Sequence, residues 1–145
     1  MAEINGIEFD DYLVDSVTID ENNLNAEYMR VAADLAYWSK KSGEAQFEHL
    51  AAKAAIKRCE GVASERARSL LEADPSVSKI TEGKVDARAQ QDKDVADAHD
   101  RFAHAAAWRT TVDGYVEAVK TKKDMLVSLG ADLRKERENE PYLRE

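Results

Sequence analysis

The chain has a single cysteine, Cys59, so no disulfide can close within it and a reducing compartment suits it. Its six glycines are widely separated, which excludes a glycine-rich phosphate loop. Only three histidines occur, His49, His99 and His104. The last two stand five apart, off a common helix face and outside the i,i+4 pair of a helical metal site. No run approaches the ~18 apolar residues of a membrane span. The start, MAEINGIEFDD, lacks the basic region and apolar core of a signal peptide. No carboxylate pair is marked as a buried acid and base. These absences point away from catalysis, cofactors, metals and membranes, and towards a soluble protein inside a cell.

Lys and Arg are also missing from the first 28 residues, which carry Glu3, Glu8, Asp10, Asp11, Asp15, Asp20, Glu21 and Glu27. The whole chain has 29 acids and 21 bases, so residues 29–145 hold 21 of each and the net charge of −8 describes one end. A polyanionic partner is therefore not excluded, because binding follows the local field and not the summed charge.

What the chain does have is helical patterning. Hydrophobic residues make up 43% of it and charged ones 34%, with alanine supplying much of the apolar share. Alanine buries little area, so an isolated subunit gains little from its core, and self-association is expected to complete it. The expected fold class is all-α: long helices with heptad-like seams, an acidic N-terminal arm, and a helical homo-oligomer.

Residues 1–19 read as an extended or partly disordered acidic arm, with Asn5-Gly6 as a turn pair and one turn of helix near Asp10–Asp15. Asp20 is placed to cap the first helix. Leu24, Tyr28, Val31, Leu35 and Trp38 then follow at steps of four and three, a heptad seam that predicts a helix ending at Ser42-Gly43. A second helix is predicted over 44–73, with Phe47, Leu50, Ala51, Ala54, Ala55, Val62 and Leu70 on its apolar face and Asp74-Pro75-Ser76 as its stop. A third is predicted over 85–138, with a stripe of Phe102, Ala105, Val112, Val116, Val119, Leu126 and Leu133, charged seam positions at Arg109 and Lys123, and soft spots at Gly114 and Gly130. Residues 139–145 read as a frayed tail. The organisation expected is thus an arm (1–19), a helical region with a basic helix (20–80), and a long association helix (81–138).

The basic helix is the chemically informative stretch. Between residues 40 and 68, Lys40, Lys41, Lys53, Lys57, Arg58, Arg66 and Arg68 exceed Glu44, Glu48, Glu60 and Glu65 by three charges. Lys53 and Lys57 share a helix face. A line of cations with aromatic neighbours (Tyr37, Trp38 and Phe47 are near in sequence) is what a single strand of nucleic acid needs. Against this stands the plainer reading of a solvated mixed-charge face, with Trp38, on the heptad seam, as a core residue. Cys59 reads as a small apolar residue.

Both ends of the chain resemble the UvsY-type recombination mediators of T-even and related phages. The N-terminal resemblance lies in Val17-Thr18-Ile19-Asp20, Leu24 and Glu27, leading into the helix with Leu35, Tyr37 and Trp38. The C-terminal one begins at Asp92-Lys93-Asp94-Val95 and continues through Gly114-Tyr115-Val116-Glu117-Ala118-Val119-Lys120-Thr121-Lys122. The resemblance implies a non-enzymatic protein of the infected bacterial cytoplasm that binds single-stranded DNA. It implies a ring-like homo-oligomer that loads a RecA-like recombinase onto DNA coated by a single-strand-binding protein. The family's aliphatic–Lys–x–Arg string has its nearest counterpart in Ile56-Lys57-Arg58, where the Arg falls one place early.

Two expectations follow. The cations Lys40, Lys41, Lys53, Lys57, Arg58, Arg66 and Arg68 neutralise phosphates, and Phe102, Val112, Val116, Val119, Leu126 and Leu133 form an association seam. A structural coiled-coil or assembly-scaffold protein without nucleic-acid binding fits the heptads and alanines equally well. The acidic arm is either a solvated tail or a segment that docks on a basic surface and competes with phosphate.

Overall fold

The computed structural model describes residues 2–4 and 7–139, with side chains from Asp10 onward. The protein is all-α but for a short antiparallel hairpin that pairs β1 (Ala2–Ile4) with β2 (Ile7–Phe9), Ile4 opposite Ile7. Four α-helices follow: α1 (Asp11–Val17), α2 (Leu24–Ala73), α3 (Glu82–Ala89) and α4 (Lys93–Asn139). A single 3-10 turn, Glu21–Asn23, leads into α2. The Asn5-Gly6 turn pair, the side chains of Ile4, Ile7 and Phe9, and the tail beyond Asn139 lie outside what is described.

Polar side chains set the element starts. Asp10 accepts hydrogen bonds from the amides of Tyr12 (2.8 Å) and Leu13 (3.4 Å) to open α1. Asp20 accepts from Asn22 N at 2.9 Å and caps the 3-10 turn. Asp92 accepts from Asp94 N at 2.9 Å and opens α4. Each satisfies an amide that has no partner within its helix. At the other end of α2, Asp74 accepts from the amide and hydroxyl of Ser76 at 2.9 and 2.6 Å, so the stop expected at Asp74-Pro75-Ser76 is in place.

Three expectations are corrected. Ser42-Gly43 does not end a helix, because α2 runs unbroken from Leu24 to Ala73. The cost of a mid-helix glycine, ~1 kcal/mol, is small beside the burial of Trp38 and Ala45 on either side. Ser42 Oγ also donates to Asp113 at 2.6 Å. The predicted third helix is two helices, parted at Gln90–Asp92 where Asp92 starts a new one, whereas Gly114 and Gly130 pass within α4 without a break. The arm from Asp10 on is ordered: α1 buries Leu13 and Ser16.

The chain forms two compact units, Met1–Ser42 with Thr111–Glu145, and Gly43–Thr110. In the first, α1, the start of α2 and the end of α4 bury Leu13, Val31, Trp38, Val112, Val119 and Leu126. Trp38 is 3% exposed and donates from Nε1 to Ser16 Oγ at 3.3 Å, so it is a core residue. Tyr12, Tyr37 and Tyr115 pack on it with ring centroids 5.0–5.9 Å away. In the second unit, Ala63, Ala67, Val85, Ala89 and Val95 form the buried cluster, with Cys59 and Leu71 packed against it. Three of these five are alanines on α2 and α3, so small side chains build much of the core here.

Candidate nucleic-acid interface

Of the seven cations expected to act together, two belong to one compact unit and five to the other. Lys40 and Lys41 belong to the first unit, where Lys41 Nζ lies 5.9 Å from the centroid of the Tyr37 ring. The other five belong to the second unit. There Arg66 is committed to the start of α4, 2.9 Å from Asp92 and 3.3 Å from Asp94. Arg68 is committed to the start of α3, 2.9 Å from Glu82. Both guanidiniums fasten the end of α2 to the helices that follow. Lys53, Lys57 and Arg58 remain: all three are exposed, and none has an ion-pair partner among the described residues.

Arg58 also lines an open groove of about 1070 Å³ between α2 and α4 within the second unit. Arg66 with Asp92 and Asp94 forms one end of it. Phe47 and Trp108 line it as well, 73% and 43% exposed, with Arg101 and His104 between them and the closed end. The charges are mixed, since Glu48 and Asp97 line it too. His49, on the same stretch of α2, stacks on Phe102 at 4.9 Å and contacts Arg109 at 3.4 Å, which accounts for one seam position expected to be charged.

The apolar face read for residues 44–73 is corrected here. Phe47, Leu50, Val62 and Leu70 are 51–73% exposed, whereas the buried positions are Ala45, Ala63 and Ala67. The neighbouring helix approaches the small side chains, and the bulky ones are left at the groove and its rim. Trp108 and Arg101 had no signal in the sequence beyond their residue types. Their place follows from α4 running antiparallel to α2, shown by His49 meeting Phe102 and Arg66 meeting Asp92.

The six residues read as an association seam are distributed differently. Val112, Val119 and Leu126 are 0% exposed and are filled in by their own chain. Phe102 and Val116 are half-buried, and Leu133 is 41% exposed. The charged residue on the seam is also shifted. It is Lys122, 2% exposed, and not Lys123, which is exposed. The step from Val119 is three residues before the step of four to Leu126.

Lys122 Nζ meets Glu27 Oε2 at 2.5 Å, and this contact holds the Glu27 carboxyl below its ordinary range. Glu27 Oε1 in turn accepts from Asp20 N at 3.4 Å. Nearby in the same unit, Asp34 is 2% exposed, accepts from the Tyr12 hydroxyl at 3.1 Å and lies 3.4 Å from Arg30. Burial, then the bond to Asp34, push the Tyr12 phenol above its usual value. These groups tie α1 and α4 to α2. Among the described residues no cluster of His, Cys, Asp and Glu is arranged to hold a metal ion, and no helix is long and apolar enough to cross a membrane.

Comparison of the chain with protein-family models, with curated proteins and with solved structures finds no match.

Proposed function

We propose that this protein is a recombination mediator of the UvsY type. In this reading it binds single-stranded DNA and promotes loading of a RecA-like recombinase during phage homologous recombination and repair. It works in the cytoplasm of the infected bacterium, has no enzymatic activity of its own and acts as a homo-oligomer. The observation that carries the reading is the state of Lys53, Lys57 and Arg58. They are exposed cations without ion-pair partners among the described residues, on a helix whose other nearby arginines are engaged. Two of them belong to Ile56-Lys57-Arg58, the nearest counterpart here of the family's aliphatic–Lys–x–Arg string, with the Arg one place early.

Three cations per subunit bind phosphate weakly. Repetition of the site in an oligomer raises the effective concentration of each further contact and converts weak sites into tight binding. Contact with a polyanion through released counterions makes that binding steeply salt-dependent. A bound, extended strand held beside recombinase subunits then favours filament nucleation over re-coating by the single-strand-binding protein.

Fluorescence anisotropy of a labelled single-stranded oligonucleotide, read at low and moderate salt, tests this. Binding that weakens with salt and drops when Lys57 and Arg58 are both replaced by alanine, with the subunit number unchanged by light scattering, supports the reading. Flat anisotropy at micromolar protein and low salt leaves the structural coiled-coil or scaffold reading in its place.

A further inference from the structure

We infer that the groove between α2 and α4 in the second unit takes the bases of the single strand, stacked on Phe47 and Trp108, while Lys57 and Arg58 hold its phosphates. The inference rests on the reading above and adds to it the part of the ligand that is recognised.

Four observations meet here. Phe47 and Trp108 line one groove from opposite helices yet keep 73% and 43% of their surface open. A phenyl ring left so open on a well-formed helix forgoes burial, so a ligand that covers it is favoured. The groove also presents Arg58 and Arg101, which carry planar guanidiniums able both to pair with phosphate and to stack. Its volume, about 1070 Å³, is at the upper end of sites for small organic ligands and admits more than one base. Finally, one end is electrically closed. Arg66 there faces two carboxylates, Asp92 and Asp94, and the one negative charge left over repels phosphate. A strand is therefore directed to the other end, where Phe47 and Trp108 lie. The lining holds four acids, Glu48, Asp92, Asp94 and Asp97, against three bases, Arg58, Arg66 and Arg101. The grip inside the groove therefore comes from stacking, and the phosphates stay at its rim on Lys57 and Arg58.

The helix supplies the spacing. Phe47 and Arg58 are eleven residues apart, about 16 Å along the axis. A strand lying along α2 thus reaches the aromatic end and the cationic stretch together. Stacking is tolerant of base identity because every base has a π face, and it contributes several-fold to more than a hundredfold in affinity per base.

The experiment compares a thymidine oligonucleotide with an abasic backbone of the same length and charge, on the full chain. Wild type is expected to bind the base-bearing strand at least tenfold tighter. Replacement of Phe47 and Trp108 together by alanine is expected to reduce that ratio to near one while the salt slope persists. Trp38 is buried and Trp108 is not, so the emission that moves on titration is expected to vanish in Trp108→Phe, a mild change that keeps the fold. Equal affinity of wild type for both strands, or a base preference that survives the double substitution, overturns the inference and leaves phosphate binding standing. So does a double variant that dissociates into smaller oligomers while its base preference is unchanged, which would assign the groove to a second copy. Absence of binding to either strand overturns the parent reading and this one with it.

Discussion

Lys122 is ion-paired to Glu27 with its own side chain out of reach of solvent: Nζ and Oε2 are 2.5 Å apart, and the two side chains are 1% and 12% exposed. The pair joins the end of α4 to the beginning of α2. Removing one member leaves the other charge stranded, which costs about 3–5 kcal/mol. Glu27→Gln and Lys122→Ala are each expected to lower unfolding stability by that order in urea titration. The double replacement Glu27→Leu with Lys122→Met restores most of the loss, since two apolar chains need no mutual charge. Single variants within 1 kcal/mol of wild type (~1 kcal/mol being the scale of an exposed pair) would show that the pair is solvated.

The same pair gives stability a pH dependence of known sign. Glu27 titrates lower in the folded chain than in the unfolded one, chiefly because of Lys122. Its contribution is complete above the ordinary carboxylate value, roughly 4.3, and is lost as pH falls from there through the depressed folded value. Glu27→Gln is expected to flatten that acid limb. The Tyr12 phenol works in the opposite sense. Its folded value is raised by burial and by Asp34, so its contribution holds below roughly 10 and fades as pH rises through the folded value. Tyr12→Phe should flatten the alkaline limb alone.

Gly130 stands where a methyl group would meet the Tyr28 hydroxyl, which itself donates to the Leu126 carbonyl. Gly130→Ala gains ~1 kcal/mol of helix propensity but displaces that hydroxyl and its hydrogen bond, worth about as much. The substitution is therefore expected to be neutral or destabilising in wild type. It should be stabilising by about 1 kcal/mol in a Tyr28→Phe background, where the clashing atom is gone. Thermal melts of the four proteins measure the coupling. Additive effects would show that the two helices do not approach this closely.

Asp92 has two roles, capping α4 and receiving Arg66. Asp92→Ala is expected to cost about 1–2 kcal/mol, the range of a lost cap. Arg66→Ala should cost less, under ~1 kcal/mol, because that side chain is 53% exposed and its pairing is screened. The reverse order in chemical denaturation would mean the ion pair, and not the cap, holds the break between α3 and α4.

The cations should sort by their partners. Lys57→Ala is expected to reduce the salt slope of single-strand binding by about 0.7, one phosphate contact. Arg68→Ala should leave the slope unchanged, since Glu82 already holds that guanidinium. Equal changes in slope from both would show that strand binding releases Arg68 from Glu82.

Which parts of this were open to a reader of the chain alone follows from the range of the forces involved. Helix content, the stop at Asp74-Pro75-Ser76, the cap at Asp20 and the seven-residue spacing of Val112, Val119 and Leu126 depend on neighbours a few positions away, and so are legible in the chain. What those seams meet is set by contacts between residues far apart in the chain. A heptad stripe is the same whether a second subunit or the chain's own α2 fills it, and here the chain fills it at these three positions. Likewise a row of lysines and arginines looks uniform until distant acids choose among them. Asp92, Asp94 and Glu82 took Arg66 and Arg68, and nothing local distinguished those from Lys57. Phe47 was misread as core for the same reason: burial belongs to whichever face another helix approaches, and the alanines on α2 drew it to theirs.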